Sequence, residues 1–136
     1  MTPEKIQEVR NNLFQFTGSD RFYRHFTKHI YTQGVQYVAD KCGAYWLIDL
    51  IMSHQCDPKV RKEEFQQWKL FLNKEGSSAV AICDDGNGNE VTRQEIEYTT
   101  FPNLLHKEEL VDGNRHLSLA IVMWFENQTL FLPQER

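Results

Sequence analysis

Residues 44–55, AYWLIDLIMSHQ, carry apolar side chains on nearly every side of the helix that their spacing predicts. Trp46, Leu47, Leu50 and Ile51 form one stripe, and Ile48 and Met52 widen it. Such a helix is stable only when it is packed on two sides, so the remainder of the chain must wrap around it. The helix stops soon after, because Pro58 disfavours a helical conformation at Asp57. Before it, Gly43 stands where the αL cap of a preceding helix over TQGVQYVADKC belongs. A further amphipathic helix is predicted over 3–14, with Thr2 as N-cap, Pro3 at its first position and Ile6, Val9 and Leu13 on its buried side.

Beyond residue 64 the pattern changes. FQQWKLFLN (65–73), SAVAIC (78–83), QEIEYTTF (94–101) and the two halves of LSLAIVMWFENQTLFLP (117–133) read as strands. The segment DDGNGNE between two of them is a turn signal. RFYRHF (21–26) reads as a short strand or extended loop, and 102–115 as a long polar connection. Helices first and an antiparallel sheet after them is the segregated α+β pattern. The expected architecture is three N-terminal helices packed on one face of a four- to five-stranded antiparallel sheet. Residues 1–136 are expected to form one domain, helical over about 1–64 and β over about 65–136.

Charge and cysteine content narrow the function classes. The net charge of −4 argues against a partner that needs a cationic surface, whether nucleic acid or anionic membrane. Cys42, Cys56 and Cys83 include no C-x-x-C pair, and no secretory leader or membrane-spanning run is evident, so a cytoplasmic location with reduced thiols is expected. Asp49 needs a partner if the helix around it is buried, and Arg21, Arg24, Tyr23 and Tyr45 are candidates. His54 and Cys56 are a poor nucleophile–base pair, because residues two apart on a helix face different ways. HFTKH, with His25 and His29, has a zinc-pair spacing only if helical, and lacks further ligands. DDGNGNE fails as a calcium loop: Glu90 stands where glycine is required, and Ile96 where the loop needs a bidentate glutamate. No metal site and no cofactor is expected.

The segments FTGSDRFYRH, YTQGVQYVADKC and GAYWLIDLIMSHQ, followed by FQQWKL, CDDGNGN, IEYTTFP and LFLPQER, resemble a family of short uncharacterised bacterial proteins. The signature is FTGS…YRH, YT-x-GV-x-Y and GAYWL-x-D-x-I-x-SHQ. The resemblance implies a small accessory product, sometimes associated with mobile elements, and supplies no activity. Residues 103–120 depart from the pattern. The resemblance singles out Ser19, Arg21, Tyr23, Arg24, His25, Tyr45, Asp49 and His54 as residues with chemical character. They read either as a ligand pocket or as an internal network that fixes the loop before the second helix.

Two functions follow. The leading one is a non-enzymatic binding or regulatory protein acting through a protein partner or a second copy of itself. The alternative is a small-molecule binder or hydrolytic enzyme using Arg24, His25, Asp49 and His54, with Ser19, Arg21, Tyr23 and Tyr45 contacting the ligand.

Overall fold

The computed structural model describes residues 1–18, 21–107 and 109–136, with Glu109 described by its backbone alone. Four α-helices are described: α1 (Pro3–Leu13), α2 (Gln33–Cys42), α3 (Tyr45–Ser53) and the short α4 (Pro58–Arg61). Thr2 caps α1, its hydroxyl accepting from the Lys5 N–H, and Gly43 ends α2 at φ 60°. Tyr45–Ser53 continues as a single 3-10 turn, His54–Cys56, before Asp57 caps α4.

The sheet corrects the expected architecture. The chain is α+β, but eight strands are described: β1 (Phe22–Arg24), β2 (Ile30–Thr32), β3 (Phe65–Leu72), β4 (Ala79–Asp84), β5 (Glu90–Ile96), β6 (Glu109–Asp112), β7 (Arg115–Glu126) and β8 (Thr129–Phe131). Their order is β1-β2-β8-β7-β3-β4-β5, with β6 on β7 as well. The sheet is mixed, because β2 runs parallel to β8 while the other pairs are antiparallel. The extra strands come from inside the half expected to be helical and from the connection expected to be irregular. Ile30–Thr32 leads straight into α2, and Glu109–Asp112 folds back on Arg115–Ser118.

The helices cover one face of this sheet. Leu47, Ile48, Ile51 and Met52 of α3 join Val35 and Val38 of α2 and Val9 and Leu13 of α1 against Trp68, Leu70, Ala81, Cys83, Ile121 and Met123. Trp46 packs at the rim of this core, and Asp49 lies on the outer side of α3. The other face is not open to water either. Phe71, Val80, Ile82, Leu117 and Leu119 form a second cluster beneath Leu105 and Leu110.

Candidate functional site

Side chains of the signature segments build two internal networks. At the SHQ end of α3, Gln55 and Gln66 exchange amide hydrogen bonds at 2.7 and 2.8 Å. Gln55 also donates to the Ile51 carbonyl, Gln66 to the Val60 carbonyl, and the Trp68 indole N–H to Gln66 Oε1. Every polar atom of this buried pair is used, which is the condition for a polar network to hold a core in register. His54 packs its ring on Trp68 and hydrogen-bonds Gln94 of β5 at 2.7 Å. It lies in the 3-10 turn beyond α3 and packs beside this network through Trp68.

The second network joins the tail to α2. No acidic residue occupies the first turn of α2. Glu135 supplies the charge from the other end of the chain, accepting from Thr32 Oγ1 at 2.6 Å, the Gly34 N–H at 3.1 Å and the Leu132 N–H at 2.9 Å. A carboxylate at a helix N-terminus is favoured by the unpaired N–H groups and the dipole. Gly34 is there for space: a Cβ would stand 2.6 Å from Glu135 Oε1.

What remains is the β1–β2 hairpin against α3. Its five-residue loop, His25–His29, is closed by the His25 N–H donating to the His29 carbonyl and the Lys28 N–H to the His25 carbonyl, with Lys28 at φ 77°. His25 is 7 % exposed. The Thr27 N–H donates to its Nδ1 at 3.2 Å, which makes Nδ1 an acceptor and leaves the ring proton on Nε2. Nε2 donates to Asp49 Oδ1 at 2.7 Å. Asp49 is exposed, so burial does not force a partner on it, but it pairs with this histidine, 24 positions away.

The usual catalytic arrangement buries the carboxylate and presents the imidazole. Here the imidazole is buried and the Asp49 side chain is 61 % exposed. Both ring nitrogens of His25 are engaged, so neither is offered to a reacting proton. The pair can hold a loop and present a carboxylate.

Aromatic groups share the neighbourhood of that carboxylate. Tyr23 and Tyr31 stack across the hairpin with centroids 5.5 Å apart. The Tyr45 hydroxyl accepts from Gln36 Nε2 at 3.0 Å. Burial, then the phenols of Tyr45 and Tyr23, then Asp49, push the Tyr31 hydroxyl above its ordinary pKa, so these groups share one neighbourhood. Phe26 stands at the loop tip, 86 % exposed, its ring 4.2 Å from that of His25. Phe22 is exposed on the same strand as Tyr23.

Of the residues singled out from sequence, the structure brings His25 and Asp49 into contact, with Tyr23 and Tyr45 beside them. Arg24 is exposed on β1 and Arg21 precedes that strand. Ser19 lies outside the described residues. Thr27, Glu135 and Phe26 were missed as contributors. Gly34, two positions after the N-cap Thr32, was the available signal for Glu135, since glycine there marks a close approach.

The chain matches the model of a family of unknown function (DUF6876) over residues 7–136, and it belongs to that family. No curated protein and no solved structure matches it.

Proposed function

We propose that this protein is a non-enzymatic binding module that engages a protein partner through the β1–β2 hairpin. The observation that carries the reading is Phe26, held 86 % exposed on a loop whose base is fixed by the His25–Asp49 hydrogen bond. A large aromatic on a preorganised loop loses little conformational entropy on binding, and such residues dominate interface energies. Asp49, among Tyr23, Tyr31 and Tyr45, makes no other hydrogen bond among the described residues. A carboxylate flanked by aromatic rings suits a lysine or arginine of the partner. The three free cysteines, with Cys42 and Cys83 pushed up to about 12 by burial, suit a reducing compartment such as the cytoplasm.

Affinity capture from the native host tests this, with light scattering to detect a second copy as the partner. Wild type should retain a partner that Phe26→Ser and Asp49→Lys lose, and Tyr98→Ser, exposed elsewhere, should keep it. Truncating a central aromatic anchor typically costs about 2 kcal/mol or more. A monomer that retrieves nothing, or a partner retained by Phe26→Ser, would overturn the proposal.

A further inference from the structure

Strands β6 and β8 share one edge of β7 without meeting. β8 pairs with Trp124–Glu126, and β6 with Arg115–Ser118. The N–H groups of Leu105 and His106 donate to the carbonyls of Ala120 and Leu119 at 3.0 and 3.1 Å. Over 121–123, no described strand lies against β7 on that side. A cleft of about 410 Å³ occupies the gap, between the end of α1, the 104–107 loop and the tail. That volume falls in the range of small-molecule sites, which are apolar with few polar groups.

The lining has a definite chemistry. Leu13, Phe14, Val122 and Trp124 supply apolar wall, and Arg10 and Lys107 line the same cleft. Phe14 is 78 % exposed, so the wall it forms is uncovered. Among the described residues, neither Arg10 nor Lys107 has a hydrogen bond or an ion pair. The chain as a whole is acidic, at −4. Two cations with no partner among the described residues, beside one apolar cleft, are therefore a local reversal of sign.

We propose that this cleft binds a small amphipathic carboxylate of the medium-chain fatty acid type. The alkyl chain lies against Phe14, Val122 and Trp124, and the carboxylate is held by Arg10 and Lys107. This site is separate from the hairpin surface and does not depend on it.

Isothermal titration of the intact protein with octanoate, and with 1-octanol as the neutral counterpart, tests it. One saturable site per chain is expected for octanoate. The double substitution Arg10→Gln, Lys107→Gln should weaken octanoate by about tenfold or more, the loss of charge-assisted contacts, while leaving octanol unchanged. Val122→Trp should fill the cleft and abolish both, with circular dichroism confirming the fold. Absence of saturable octanoate binding, equal affinity for octanol, or indifference to the double substitution would overturn the proposal.

Discussion

The imidazole of His29 shows how one unpaired atom sets a pH dependence. Its ring meets Phe125 edge-on with centroids 5.4 Å apart, and its Nδ1 is buried with no hydrogen-bond partner among the described residues. Burial, and then the neighbouring His25, lower its pKa from the ordinary 6.5. The unfolded chain therefore takes up this proton more readily than the folded one. The stability contributed by the neutral ring is complete above the ordinary value and is lost as pH falls through the lower folded value. Urea midpoints should accordingly decline from about pH 7 to about pH 5.5, and His29→Leu should flatten that slope. Equal slopes in the two proteins would show that His29 titrates as it does in the unfolded chain. This residue was legible as chemistry in HFTKH, but its environment was not, because Phe125 lies almost a hundred positions away.

At the scale of elements, the link between the tail and α2 is the clearest case of two signature segments explaining each other. Glu135→Ala removes the acceptor of three hydrogen bonds, from Thr32, Gly34 and Leu132, and should cost about 2–3 kcal/mol. Gly34→Ala should cost about 1–3 kcal/mol through overpacking against the same carboxylate. In a double-mutant cycle by urea unfolding, the pair should cost clearly less than the sum, because the obstructing carboxylate is gone. Strict additivity would contradict the packing account. The long elements were readable from periodicity: α1, α2 and α3, strands β3, β4 and β7, and the glycine-bearing turn where Asp85 accepts from the Asn87 and Asn89 N–H groups. β1 and β2 were harder, being three residues each, too short for alternation to register. β2 also sits where the helical pattern begins, and β6 is paired from within a polar segment.

In the whole molecule, those short strands decide the shape. β5 and β6 are separated in the sheet by β7, β3 and β4, yet Arg93 of β5 bonds Asp112 of β6 at 3.0 Å, and Arg115 reaches both Glu95 and Asp112. Hydrogen bonds from these two guanidiniums hold Glu90, Glu95 and Asp112 below the usual carboxylate range. The sheet therefore curls over its second apolar cluster. The candidate site was half legible: Tyr23, His25, Tyr45 and Asp49 were singled out, but the pairing of His25 with Asp49 depends on a hairpin that periodicity could not reveal. The central claim is that this pairing fixes the loop and so presents Phe26. Backbone ¹⁵N relaxation of residues 26–28, in wild type and in Asp49→Ala, tests it most directly. Order parameters near about 0.85 in wild type, falling below about 0.6 in Asp49→Ala, are the predicted result. A loop already mobile in wild type, or equally rigid without the Asp49 carboxylate, would contradict the account.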